Sequence, residues 1–561
     1  MILAVSCMVA DKELKFSENS LDIYGFLSNI YGINVYDADK PLQRVLQYFL
    51  GKIPSFHDLG VFAGRDLLEI TDYVDKVSRP RHIMWDINGN RVDRVWLNPA
   101  EKWAIERLVI DFGINKPPYH GGSWHEHYAM GYLVSDPGLY CIITITIQTA
   151  YALYKYGNDE LRKYVPRLIG DETPINFGAT WFTEIQGGSD LGANTTTAKR
   201  DGDIWRLYGD KYFASGVGLA DIALTSARPE GGKAGAKGLA LFAVPRLDSK
   251  GNLNFIVRRL KDKSGTNSVP TGEVEFRGSE AYLIGDLNNG IYYIMEDLMV
   301  SRLANAVGSV GIARKAYLES YEYANKRRAF GKFLIEHPLV IRDLMDMEIT
   351  IEGATALVFK AINEFDKSWR NRPPYNERYH YARLLTHIAK NIAADAAAYV
   401  TRLAMELHGG IGFLSEYPIE RWHREALITP IWEGTSNIQA LDMIEVITKK
   451  NAHITMLNDL ENTMAEIKTY HSIAESAMSI VKNVLETAFT LSPLEIEFRA
   501  KDILSSLGYA IAAITLAHIA EKLGIDRYAI IAELYLEKYL QGSYKVGSYD
   551  LGKKIIDIEE G

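Results

Sequence analysis

The sequence predicts an α+β chain: a helical N-terminal domain, an antiparallel β middle domain, a C-terminal four-helix bundle and an extra helical extension. Three observations carry this. Segments with apolar residues at helical spacing flank a stretch, about residues 176 to 285, where short β-branched and aromatic runs alternate with turn residues. Beyond that stretch the helical segments are long and rich in alanine and glycine, the texture of closely packed helices. A chain of 561 residues also exceeds what one hydrophobic core supports. The expected domains are 1–175, 176–285, 286–449 and 450–561.

In the first domain, Leu42 to Leu50 and Glu101 to Phe112 have helical periodicity. Tyr140 to Tyr156 reads as a buried helix, and Asn158 to Leu168 begins with a polar cap. Between them, His120 to His127 holds three histidines and a glutamate. Their spacing fits neither His-Glu-x-x-His on a helix nor a zinc finger, so a pocket or loop role is expected and no metal. In the β domain, Thr195 to Lys199 with Ile204 to Leu207, and Ile222 to Ala227 with Leu239 to Val244, read as hairpins, with further strands at Asn254 to Arg258 and Glu273 to Phe276. No phosphate-loop or dinucleotide glycine motif is present. Ile291 to Arg327, Val340 to Phe365, Tyr381 to Leu407 and the run after Asn437 supply four bundle helices, and Gly409-Gly410 ends the third. Ile454 to Ala488, Pro493 to Lys522 and Asp526 to Leu540 continue as helices.

Hydrophobic content of 47% and charged content of 24% are those of ordinary globular proteins. The net charge of −9 offers no footprint for nucleic acid. Two cysteines, Cys7 and Cys141, make no disulfide framework, so a reducing cytoplasm is the expected compartment. Met1 to Ala10 lacks the basic start of a secretory signal, and windows such as Ala510 to Ala520 are too short to span a bilayer, so no membrane partner is expected.

Five stretches carry chemistry. Ile431 to Gln439 places Glu433 between Trp432 and Gly434, ahead of Thr435, Ser436 and Asn437. A carboxylate wedged against an indole is partly desolvated, which suits a general base, and the small polar residues can cap the next helix. Phe182-Thr183-Glu184-Ile185-Gln186-Gly187-Gly188-Ser189-Asp190 is a polar loop that allows close approach. Gly209 to Gly216 sets Phe213 and Ser215 on one face of a strand. Tyr323 to Lys332 is a basic helix end able to clamp a pyrophosphate. His408-Gly409-Gly410-Ile411-Gly412-Phe413 precedes the Glu433 segment.

In this order, between helical, β and helical regions, the five stretches resemble the acyl-CoA dehydrogenase superfamily over about residues 100 to 446. The resemblance implies FAD, α,β-dehydrogenation of an acyl-CoA thioester, a homotetramer or homodimer, and an electron acceptor such as an electron-transfer flavoprotein. By position it makes Glu433 the base that takes the α-proton. It assigns Phe182, Thr183, Phe213 and Ser215 to the flavin, and Ser189 to the passage of the flavin phosphates and the CoA chain. Arg327 and Phe330 would reach the FAD of a neighbouring subunit, with Gly409 and Gly410 near its adenine half. Thr435 and Asn437 would contact the cofactor, and Glu406 replaces a glutamine that does so. Arg302 and Gly434 fall to the substrate. Some members carry the base just before Arg302; that position is Ser301, which cannot serve. The wording of the motifs, Ile185 in place of a proline, and the tail past 450 resemble the alkylation-response flavoprotein branch. That branch implies an alternative reading: weak dehydrogenase activity and a DNA-associated protective role. The tail, with ten Lys/Arg against sixteen Asp/Glu, argues against duplex binding. An oxidase releasing peroxide and a catalytically silent flavoprotein are the remaining readings.

Overall fold

The computed structural model describes residues 23–542 and 548–558; the amino-terminal segment considered as a signal, including Cys7, lies outside them. The N-terminal part contains α1 (Lys40–Leu50), α2 (His57–Gly64), α3 (Asp66–Lys76), α4 (Pro99–Glu106), α5 (Trp124–Val134), α6 (Pro137–Tyr156), α7 (Asp159–Arg162) and α8 (Val165–Ile169). Their starts are written locally. Asp39, Asn98, Asp136 and Asn158 each accept a backbone N–H at the helix they precede, and Ser123 with Glu126 forms a capping box on α5. One element departs from the helical expectation, an antiparallel hairpin of β1 (Arg81–Trp85) and β2 (Arg91–Trp96). Its turn is held by Asp86, whose carboxylate accepts the N–H groups of Asn88 and Asn90 at 2.8 Å, with Gly89 at φ +82°.

The middle domain comprises β3 (Gly178–Trp181), β4 (Thr197–Asp201), β5 (Ile204–Ser215), β6 (Ile222–Pro229), β7 (Ala240–Pro245), β8 (Ile256–Leu260) and β9 (Thr271–Ile284). β4–β5, β5–β9, β9–β7 and β7–β6 pair antiparallel, and β6 returns to β4 in parallel, so five strands close into a ring. β3 lies parallel on β6, and β8 antiparallel on β9. The expected hairpins are present, but the domain is mixed rather than wholly antiparallel. Side-chain alternation is the same in both kinds of ladder, so periodicity cannot separate them. The one cue was that β6 carries no charged residue from Ile222 to Ala227, a stretch buried throughout as strands covered on both faces are.

The bundle is α9 (Gly290–Lys326), α10 (Pro338–Ser368), α11 (Glu377–His408) and α13 (Ser436–Lys450), with α12 (Pro418–Ala426) between the last two. The extension is α14 (Ala452–Ala465), α15 (His471–Thr490), α16 (Pro493–Phe498), α17 (Ala500–Leu523), α18 (Asp526–Leu536) and α19 (Tyr549–Ile556), more broken than the sequence implies. Among the described residues α17 alone is long and apolar enough to cross a membrane, and it is packed against α10, α11, α13, α15 and α18.

The extension shares the bundle's core. Arg527 of α18 donates to Glu348 at 3.3 Å, to Glu352, and to the Ile555 carbonyl at 2.8 Å. Glu348 also accepts from Arg314 of α9, which pairs with Asp39, the cap of α1, at 3.3 Å. One buried line of alternating charge therefore ties α1, α9, α10, α18 and α19. Removing one member leaves its partners charged and dry. Arg527→Ala is expected to cost about 3–5 kcal/mol of stability; an unfolding midpoint equal to the parent's in denaturant would count against this coupling.

Candidate active site

Glu433 lies in the loop between α12 and α13, and this loop is fastened to α9. Asn305 donates to the Thr429 carbonyl at 3.0 Å and accepts from the Trp432 indole N–H. The chain then turns left-handed, with Glu433 at φ +58° and Gly434 at φ +93°. A non-glycine residue there is strained, so its surroundings must hold it. Four hydrogen bonds do so. Arg302 Nε donates to the Glu433 carbonyl at 2.9 Å, Gln439 Nε2 to the Glu433 and Gly434 carbonyls at 2.9 Å each, and Lys390 Nζ to the Gly434 carbonyl at 2.8 Å. Gly434 is required sterically too, since a Cβ there would lie 2.8 Å from Gln439 Nε2. Thr435 occupies the cap position of α13 without a side-chain cap bond, contrary to the expectation.

With its carbonyl tied back, Glu433 turns its carboxylate to a cavity between α6 and α9. Ser301 of α9 donates to that carboxylate. The cavity is also lined by Cys141, Thr144 and Ile145 of α6 and by Ala304 and Gly308 of α9. Burial raises the Glu433 carboxyl above the usual range; Ser301, Arg302 and Lys390 partly offset it. One turn earlier on α9, Asp297 is buried and its carboxyl is pushed well up, by burial and then by the Glu433 charge.

The β domain meets the same cavity. The Tyr212 N–H donates to the Thr183 carbonyl at 2.9 Å, and the Trp181 indole to the Ser215 carbonyl at 2.9 Å, which staples the two β motifs together. Glu184 is buried, and Lys211, the Thr195 and Thr196 N–H groups and the Thr195 hydroxyl outweigh that burial and hold its carboxyl at about 2. A Cβ on Gly216, next to Ser215, would lie 2.6 Å from Ile145 Cδ1, and Ile145 lines the Glu433 cavity, so the strand end and the cavity adjoin. Behind Ser215, the Lys263 ammonium donates to Thr271 at 3.1 Å, and the Thr271 and Ser215 hydroxyls are 3.1 Å apart.

Against this geometry three family descriptions match the chain: "Adaptive response protein AidB N-terminal domain" over residues 27–172, "Acyl-CoA dehydrogenase, middle domain" over 179–279 and "Acyl-CoA dehydrogenase, C-terminal domain" over 288–448. Acyl-CoA dehydrogenase family member 11 of Caenorhabditis elegans is 30% identical over 517 residues, 86% of this chain and 82% of that protein. This chain belongs to the acyl-CoA dehydrogenase superfamily. Putative acyl-CoA dehydrogenase AidB of Escherichia coli is 31% identical over 68% of this chain and 72% of its own length, and the N-terminal match puts the chain in the AidB-like branch. The crystal structure of Caenorhabditis elegans ACDH-11 in complex with C11-CoA superposes with a TM-score of 0.79 at 25% identity, covering 97% of this chain and 96% of that one. Acyl-CoA dehydrogenases bind FAD, so the chain is a flavoenzyme of this family.

The donor set around Ser215 suits a flavin. The Phe213 ring is half exposed at the strand end, and the Thr183 hydroxyl finds no protein acceptor among the described residues. Not every residue carried over by position stands where the resemblance implied. Phe182 is buried in the core, its carbonyl taken by Asn194 at 2.9 Å. Arg302 is buried and bonded to protein, with Asp442 at 3.2 Å and the Glu433 carbonyl at 2.9 Å, so it holds the Glu433 turn. Ser189, Thr435 and Asn437 are exposed.

Arg327, Phe330, Glu406, Gly409 and Gly410 form a second group at the far ends of α9 and α11, where the Tyr323 and His408 rings lie 4.2 Å apart, tilted by 30°. All five are exposed, Phe330 at 98%, and Glu406 pairs with Arg402. Twenty-six residues of helix separate Ser301 from Arg327, about 39 Å at 1.5 Å per residue, so this second group lies far along α9 from the Glu433 cavity. Of the three histidines in the 120–127 stretch, His125 and His127 are buried on α5, where burial pushes both down to about 4, and His120 pairs with Asp171 at 2.7 Å.

Lys390, Gln439 and Asn305 escaped the sequence reading. A lone lysine in the alanine-rich run of α11 was the one available signal. The Ser301 contact yields a test. A base must be ionised to accept a proton, so flavin reduction rises with pH through the Glu433 pKa. Ser301→Ala removes a bond to the ionised form, so the acid limb of the pH–rate profile is expected to move to higher pH; an unmoved limb would show that Ser301 does not act on the base.

Proposed function

We propose that this chain catalyses FAD-dependent α,β-dehydrogenation of an acyl-CoA thioester, with Glu433 as the base. The observation that supports the reading most is the constrained left-handed turn, which aims a desolvated carboxylate into the cavity that adjoins Ser215. Glu433 takes the α-proton. The Glu433 backbone N–H is directed to the thioester oxygen, where a preorganised donor is worth roughly 3 kcal/mol as charge develops. Trp432, pinned by Asn305, and the α6 wall exclude water. Bound FAD supplies the acceptor for the hydride that leaves the β-carbon. Thr183 and Ser215 hold the ring by hydrogen bonds, Phe213 packs on it, and Ser189 borders the phosphates. Arg327, Phe330, Gly409 and Gly410 serve the FAD of a second copy, because the helix length keeps them from their own; a homo-oligomer follows, and an electron-transfer flavoprotein is the acceptor the family reading implies. A C11-CoA thioester in ACDH-11 supports the substrate class.

Glu433→Gln is expected to keep FAD and to lose anaerobic bleaching by acyl-CoA by roughly two to four orders of magnitude. Stopped-flow absorbance of the flavin reads this directly, and bleaching at the parent rate would reject the base.

A further inference from the structure

The cavity beside Glu433 is narrow, with room for only about 30 Å³, and one side chain of its lining bridges two helices. Tyr140, in the first turn of α6, is 2% exposed. A Cβ on Gly308 of α9 would lie 3.7 Å from its Cδ1, and a Cβ on Gly131 of α5 would lie 2.1 Å from its hydroxyl oxygen. The ring therefore spans the gap from α9 to α5, and two glycines leave room for it. Gly308 follows Ser301 by seven residues, two turns along the same face of α9. A chain entering at Glu433 and running along that face meets the ring.

The Tyr140 hydroxyl has no hydrogen-bond partner among the described residues. Burying an unpaired hydroxyl is unfavourable, so no polar bond explains why this side chain stands here. Its steric bulk is what the site uses.

We propose that Tyr140 closes the acyl channel and limits this enzyme to short acyl thioesters, nearer butyryl than decanoyl in size. The proposal rests on the reading of Glu433 as the base, since that fixes where the α-carbon lies. Truncating Tyr140 would join the cavity to a slot walled by Gly131 and Gly308, with space for further methylenes.

The test is a chain-length series on the FAD-loaded protein, with anaerobic flavin reduction and calorimetric binding of each acyl-CoA to the Glu433→Gln form. The parent is expected to favour butyryl-CoA over decanoyl-CoA by at least tenfold in kcat/KM. Tyr140→Ala is expected to raise decanoyl-CoA at least tenfold in both readouts, whereas Tyr140→Phe, which keeps the ring, leaves the profile as it was. If the alanine variant fails to fold, Tyr140→Leu, shorter yet apolar, carries the same expectation. A parent that takes decanoyl-CoA as readily as butyryl-CoA, or a truncated variant with an unchanged profile, overturns the channel proposal alone. Absence of reduction and binding with every thioester overturns the dehydrogenase reading along with it.

Discussion

Two backbone carbonyls, those of Glu433 and Gly434, are pulled away from the cavity by donors from three helices: Arg302 of α9, Lys390 of α11 and Gln439 of α13. A left-handed glutamate costs of order 1–3 kcal/mol, and two of the donors that offset it are buried cations whose charge also acts on the carboxyl group. Pulling the main chain inward sends the side chain outward, so one set of bonds fixes both the direction and the electrostatics of the base. The position of α9 against α11 matters for this reason: Arg302 and Lys390 must reach the same turn.

Three buried glutamates show what decides a carboxyl group's state here. Glu184 receives two backbone N–H groups, a hydroxyl and an ammonium, and stays ionised down to about pH 2. Glu425 is pushed up to about 7 by burial and by Asp136, although Arg421 and the Thr266 and Gly138 N–H groups work the other way. Glu433 has one hydroxyl and two cations at one remove, and it ends above the usual carboxylate range. The number of direct donors is what separates the anchor from the base.

The fold class and the Glu433 segment were legible because their signals are local. A helix period, a turn residue or a Trp-Glu-Gly triplet is read within a dozen residues. The parallel pairing of β3 and β6, and the support that Ser301, Asn305 and Lys390 lend to a loop up to 132 residues away in sequence, are long-range facts that no window contains. Arg302 was legible as a conspicuous arginine, but not the Glu433 carbonyl and Asp442 that it bonds, since such a residue shows that acceptors exist without saying which. The β1–β2 hairpin was missed although Asn88-Gly89 marks its turn, because β1 alternates only between exposed and half-buried residues and the one buried residue of β2 is Asp93, so neither strand shows an apolar face.

The charge line from Asp39 to Arg527 bears on what the smallest working version of this protein is. The motifs end near residue 446, which invites cutting the gene there. Such a cut would strip Glu348 and Glu352 of the guanidinium between them and lay bare the faces of α10 and α11 that α17 covers. The last hundred residues are thus an internal support rather than an appendage, and the boundary drawn by chemistry is not the one drawn by folding.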